Sequence, residues 1–262
     1  MICIQETKLN TLSNQKCYRL WGDNNIDWMH KEAEGGAGGI LTMWHKNIFV
    51  YERHIISKGF LAIIGQHKEK NVPIIVVNVY SSCHLKEKLG MWDEIVTIRH
   101  LEVCKTWCIL GNFNAVRKKE ERRGVNIDGS NKKEISKFNK FIEKTEMFDI
   151  PLVDWKYTWY IPNGSAKSRI DRILTSFEWL EQWPGCKQHI LDRQVSDHCA
   201  IVLRTSKVDW GPKPFRSLEV WNSEKGFSEF VKEQWNNDIV GGNGMVAVKE
   251  KFKRLNQDKD LE

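Results

Sequence analysis

The sequence has no apolar run approaching the ~20 residues a membrane helix needs, so no such helix is expected. Its first residues, Met1-Ile2-Cys3-Ile4-Gln5-Glu6, carry no basic region and no apolar stretch of signal-peptide length. An intracellular, soluble protein is the expectation. There are seven cysteines but no Cys-x-x-Cys pair, and the closest two, Cys104 and Cys108, flank an expected strand start. Zinc would need a second pair at ligand spacing, so free thiols in a reducing compartment are expected instead. The run Gly35-Gly36-Ala37-Gly38-Gly39 lacks the Lys-Ser/Thr pair of a phosphate-binding loop. The strand-like Ile40-Leu41-Thr42-Met43-Trp44 follows it, so it reads as a tightly packed strand entry. Nor is the charge strongly of one sign. The net charge is +6, and from Lys207 onward ten basic residues balance ten acidic ones, so the excess lies in residues 1–206. That balance permits a phosphate-rich partner without demanding one.

What is present suits a soluble globular chain: 41% hydrophobic and 28% charged residues over 262 positions. The length suits one large α/β domain, or a domain with an appendage. Twelve tryptophans are assigned to packing. Buried strands are expected at 2–5, 40–44, 48–56, 60–66, 73–80 and 106–110, with 48–80 forming an antiparallel meander. Residues 85–103 have helical spacing, with Leu85, Leu89, Trp92, Ile95, Val96 and Val103 as the stripe to be buried. A second helix is expected over 133–145, with Ile135, Phe138, Phe141 and Ile142 on one face. Further strands are expected at 157–160, 169–174 and 199–203, with a short helix over 177–183. The mixed charge run from Arg117 to Gly124 reads as a solvated loop rather than a phosphate-contacting one. The prolines and glycine of Val208–Pro214 mark a boundary, so the domains are set at 1–206 and 207–262. The second part, a linker with helices expected at 227–235 and 246–255, has too little apolar content for its own core.

Polar clusters follow the apolar runs: Gln5-Glu6, Asn78-Val79-Tyr80, Gly111-Asn112-Phe113-Asn114, Arg169-Ile170-Asp171 and Ser196-Asp197-His198. Strands that end in such clusters deliver side chains to a sheet edge, where the sites of α/β proteins collect. Taken singly, each has a plainer reading. Glu6 is an exposed strand-end carboxylate, Tyr80 a core residue, Asn112 and Asn114 turn formers, and Asp197-His198 a cap. In this order, across residues 1–205, they resemble the signature of the endonuclease/exonuclease/phosphatase superfamily, the group of DNase I. Within it they look most like the endonuclease domain of plant LINE-type retrotransposons. Glu121-Arg122-Arg123-Gly124 resembles a loop those domains carry after the turn, and Gly211-Pro212-Lys213-Pro214-Phe215-Arg216 the linker toward their reverse transcriptase.

The resemblance implies an α/β fold, a DNase I-like four-layer sandwich of two mixed, mainly antiparallel sheets. It implies phosphodiester hydrolysis of DNA assisted by Mg²⁺, with Mn²⁺ as a substitute. A hard divalent cation suits carboxylate oxygens and the charge that gathers on a phosphodiester's oxygens. By the resemblance Glu6 holds the metal with Asp197 near it, and His198, oriented by Asp171, contacts the scissile phosphate. Tyr80 positions that phosphate, and Asn114 orients the group at 112. A monomer without a small-molecule cofactor, located in the nucleus, is implied as well.

The sequence departs from the pattern twice. The family's turn reads Gly-Asp-Phe-Asn, whereas Asn112 here is an amide that cannot accept the proton of an attacking water. Met1 falls inside the family's second strand, so the first strand, with its asparagine, and the following helix are expected to be missing. Restoring Asp at position 112 alone is then expected to recover little activity. Three functions are weighed: a metal-dependent DNA endonuclease, impaired; a remnant that binds nucleic acid without cutting; and a phosphatase of the same superfamily, which the retroelement-like linker argues against.

Overall fold

Alternation of side chains along the central strands decides which residues reach the site. The computed structural model describes residues 1–124, 129–193 and 196–205, with the helical positions Glu229, Lys232 and Glu233. The chain divides into two units, Met1–Lys207 and Val208–Glu262, and the elements below belong to the first. The boundary expected at 208–214 and the helices expected beyond it lie outside the described residues, those three positions apart.

In chain order the elements are β1 (Ile2–Gln5), α1 (Asn14–Trp21), β2 (Ile26–Glu34), β3 (Ala37–His45), β4 (Phe49–Ile56), β5 (Phe60–His67) and β6 (Val72–Tyr80). Next come α2 (Leu85–Leu101), β7 (Trp107–Asn112), β8 (Arg122–Arg123), α3 (Gly129–Lys144), β9 (Phe148–Asp149) and β10 (Leu152–Val153). The last are β11 (Trp159–Tyr160), β12 (Lys167–Ser168), β13 (Asp171–Thr175), α4 (Phe177–Gln182), β14 (Cys186–Ile190) and β15 (Ile201–Thr205). Six strands form the central sheet in the order β4-β5-β6-β7-β13-β9, and β1-β3-β2, β10-β14-β15 and β11-β12-β8 form three smaller sheets. The expected meander is present as β4-β5-β6, and β6 runs parallel to β7 through the α2 crossover.

The central strands are apolar on both faces because both faces are covered. One face, with Phe60, Ala62, Ile75, Val77, Trp107 and Ile109, packs under α2 and α3. The other, with Leu61, Ile63, Ile74, Val76, Cys108 and Ile173, packs against Ile40 and Trp44 of β3 and residues of β14 and β15. On the outer side of β3, Leu41 and Met43 meet Cys17, Tyr18 and Trp21 of α1. The layering is helix, sheet, sheet, helix, as expected for this fold class.

The helix expected over 85–103 needs correction. Helix α2 ends at Leu101, and Val103 lies beyond it, 90% exposed. The buried face of α2 instead includes Lys88 and Arg99 beside Met91, Trp92 and Ile95. Arg99 donates to Thr145 O at 3.3 Å and lies over the Trp107 ring, so its charge is compensated. Helix α1 and strand β2 are not among the expected elements; β2 is half-exposed and largely polar, so its pattern is faint.

The charge run after β7 is largely exposed, as expected, but Arg117 and Glu121 turn from it into a buried cluster of ion pairs. Arg172, 0% exposed, pairs with Glu121 and, at 2.7 Å, with Asp149. Arg169 and Arg117 join the same two acids, with Arg117 Nη1 3.1 Å from Asp149. Glu121 also accepts the Arg117 N–H at 2.7 Å. Buried charges survive only when paired and hydrogen-bonded, and here Glu121 of an apparent surface run and Asp149 of β9 pair with Arg172 of a buried strand.

Candidate active site

Period-two geometry sets the site. Asn78 and Tyr80 share the face of Ile74 and Val76, Asn112 shares that of Cys108 and Leu110, and Asp171 that of Ile173. Pairing aligns them across three neighbouring strands: Tyr80 stands beside Asn112 and Asn112 beside Asp171. Gln5 and Glu6 approach from β1 on the opposing sheet. Gln5 Nε2 donates to Asn78 Oδ1 at 2.6 Å, and Asn78 Nδ2 donates to Leu41 O and Thr42 Oγ1 at 3.0 and 3.1 Å. The buried Asn78 amide therefore ties the two sheets together just below the site.

The turn after β7 is built for close approach. Gly111 has φ 128°, and a Cβ there would lie 2.1 Å from Val79 O, so only glycine fits. Phe113 turns inward, its ring 5.3 Å from that of Phe138. Asn114 takes φ 48°, which asparagine tolerates better than most residues. Its N–H donates to Asn112 Oδ1 at 2.8 Å, and its Nδ2 donates to Ser81 O at 2.7 Å. Because a backbone N–H claims that oxygen, the Asn112 amide presents Nδ2, a donor, on its other side. Glu6, also at positive φ (55°), begins the turn after β1.

His198 comes from the loop before β15. Its Nδ1 lies 2.9 and 3.1 Å from the two oxygens of Asp171. A carboxylate only accepts, so Nδ1 carries the proton and Nε2 is left for another partner. Burial works against the charged imidazole, but the hydrogen bond and charge of Asp171, aided by Asp197 and Glu6, outweigh it and hold its pKa above the ordinary value. Burial, the neighbouring Glu6 and Cys83, and Asp197 raise the Tyr80 pKa, so its hydroxyl stays a donor at neutral pH. Asp197 is lowered: burial opposes this, but Trp159 Nε1 donates to its Oδ2 at 2.8 Å and His198 adds a positive charge.

All seven sequence-chosen residues thus fall in one neighbourhood. Tyr80, Asn112 and Asp171 share a row, Asn114 and His198 hang from it, and Glu6 and Asp197 act on both Tyr80 and His198. Sequence reasoning missed the residues that hold them. Thr158 Oγ1 accepts from the N–H groups of Ile170 and Asp171 at 3.1 and 3.0 Å, fixing the start of β13. The Thr158 carbonyl accepts from Cys199 N at 2.7 Å, and Trp159 bridges to His198, which seats the histidine loop. Lys88 was missed too, although its place one helical turn before Trp92 marked it for burial.

Among the described residues no group of three or more His, Cys, Asp or Glu side chains is arranged to hold a metal ion. Glu6 and Asp197 are both exposed and both near Tyr80 and His198. Two exposed carboxylates, with room left for water and a substrate phosphate, would suit a hard divalent cation. The seven cysteines are free thiols. No helix among the described residues is long and apolar enough to cross a membrane.

A profile of the Endonuclease/Exonuclease/phosphatase family matches residues 1–198. No curated protein matches the sequence. Similar solved structures include the AP endonuclease LMAP from Leishmania major, at 16% identity and a TM-score of 0.57, covering 76% of this chain and 76% of that one. The 3′ phosphatase NExo from Neisseria, bound to a product DNA hairpin, matches at 16% identity and 0.57, covering 78% and 88%. The endonuclease domain of TRAS1, a telomere-specific non-LTR retrotransposon, matches at 14% and 0.51, covering 70% and 79%. At such identities the likeness concerns the fold.

Proposed function

The chain belongs to the endonuclease/exonuclease/phosphatase family, and on that premise we propose that residues 1–206 form a divalent-metal phosphodiesterase site for DNA, of retrotransposon endonuclease type and slowed by Asn112. One observation carries the reading: Asp171, paired with His198, stands in one row with Tyr80 and Asn112 across three neighbouring strands. The raised pKa of His198 favours an imidazolium whose Nε2 can donate to a phosphate oxygen. Tyr80 adds a second donor, this one neutral. These donors suit an anion that gathers charge as its ester bond breaks.

Mg²⁺, when bound through Glu6 and Asp197, supplies Lewis-acid stabilisation of the phosphate oxygens. Water activation is where the site falls short. Asn112 keeps the turn intact through its Oδ1, yet its free Nδ2 positions a water without taking its proton. Losing a general base costs about 10²–10⁴ in rate, which is roughly 3–5.5 kcal/mol.

The same residue favours a second reading, a module that binds nucleic acid without cutting it. Nicking of supercoiled plasmid by the full chain, with Mg²⁺ or Mn²⁺, separates the two. Slow, metal-dependent nicking is expected; a rate typical of an intact family member would refute the impairment. DNA affinity that falls with salt and no nicking would favour the binding module. Absence of affinity at low salt would refute both.

A further inference from the structure

Beneath the turn at 112–114 sits a charge that the proposed chemistry does not use. Lys88, only 2% exposed, donates from Nζ to Asn114 O at 2.6 Å and pairs with the buried Glu134 of α3. One helical turn further along, Trp92 of α2 meets Phe138 of α3, with ring centroids 5.2 Å apart. The two helices therefore touch through an apolar rung deep in the core and an ionic rung next to the turn. For stability alone a second apolar rung would serve as well, since replacing a buried ion pair by packed apolar residues is often neutral or stabilising. What the ion pair adds is a donor for the carbonyl of a residue in the left-handed region.

We propose that Lys88 and Glu134 are positioning residues for the reacting site: Glu134 fixes the Lys88 ammonium, and the ammonium fixes the Asn114 peptide that aims the Asn112 side chain. This rests on the reading of Asn112 and Asn114 as site residues. The chain of contacts is continuous. Lys88 holds Asn114 O, Asn114 N–H holds Asn112 Oδ1, and Asn114 Nδ2 holds Ser81 O, directly after Tyr80. Without Lys88 the Asn114 carbonyl loses its partner in a part-buried place, and the left-handed turn loses its anchor on the helix side. Neither Lys88 nor Glu134 needs to touch a substrate to exert this effect.

The test compares the full chain with Lys88→Met/Glu134→Met, Glu134→Gln and Lys88→Arg, using ¹H–¹⁵N NMR of the Asn112 side-chain amide and of the Asn114 N–H. The double variant should unfold at a similar temperature while the Asn112 signals shift or broaden and the Asn114 amide exchanges faster. Lys88→Arg, which keeps a donor, should leave them near their native positions. Should the double variant fail to fold, Glu134→Gln decides, and there too the Asn112 signal should move. A folded double or Glu134→Gln variant with native Asn112 and Asn114 signals overturns the proposal. In the plasmid assay the double variant and Glu134→Gln should lose about 10- to 100-fold in kcat with little change in KM, and Lys88→Arg should stay near the native rate. If the native chain does not nick at all, the functional reading fails while the NMR comparison still decides the positioning role.

Discussion

Replacing Asp171 by Asn tests the couple on which the functional reading depends, without requiring any activity. In the native chain His198 is mostly buried, and both oxygens of Asp171 lie within 3.1 Å of its Nδ1. Its folded pKa is raised above the ordinary ~6.5 of histidine. The stabilisation from this pair is therefore fully present below about pH 6.5 and is lost as pH rises through the folded pKa. Asp171→Asn keeps the shape and removes the charge. Burial, which opposes the imidazolium, then acts with less compensation, so the folded pKa should fall. A hydrogen bond to a charged group contributes about 1.5–3 kcal/mol and a neutral one about 0.5–1.5. The variant should accordingly lose about 1.5–3 kcal/mol at pH 5.5 and clearly less at pH 8.5. Urea unfolding at both pH values with EDTA present, joined to NMR titration of the His198 ring, provides the measurement. Equal losses at the two pH values, or an unmoved His198 titration, would refute the reasoning.

Four shorter predictions follow from other parts of the structure. Gly111→Ala places a methyl 2.1 Å from Val79 O at φ 128°, and strain plus overpacking should cost about 2–6 kcal/mol in urea unfolding. Arg172→Met leaves Glu121 and Asp149 short of a buried partner and should cost about 3–5 kcal/mol; a loss under about 1 kcal/mol would show that Arg117 and Arg169 compensate. Tyr80→Phe should keep stability within about 1 kcal/mol yet slow any metal-dependent nicking about 10-fold or more, the worth of one hydrogen bond to a charged phosphate. Of the seven free thiols only Cys83 is exposed, so one cysteine should react quickly with Ellman's reagent and Cys83→Ser should abolish that phase.

The sheet core was legible because its signal is local. Runs such as Ile74–Val77 and Trp107–Leu110 are apolar on both faces, a pattern that buried strands need and few other elements tolerate. The polar residues that end those runs were legible as a set through their joint order, which resembles the family's signature, while the place of each at a strand end left it a plainer reading. Polar elements with burial were not legible. Strand β14 hides behind Gln188, which is buried because its Oε1 accepts from Ile173 N. Helix α2 hides Lys88, and the Arg117–Gly124 run hides Glu121, because a charge reads as exposed until its partner is known. Those partners lie 46 and 51 residues away in the chain.

The amino-acid order by itself determined the layered α/β class, the order of the site residues, and the chemical consequence of an amide at position 112. The first two rest on the resemblance that five short motifs carry in their order along the chain, and the third on residue type alone. Only the tertiary structure decided that Tyr80, Asn112 and Asp171 share one row, that Thr158 fixes the start of β13, and that Lys88 and Glu134 stand beneath the turn. Strand register and the pairing of buried charges depend on contacts between distant segments, and no local pattern encodes which partner is met.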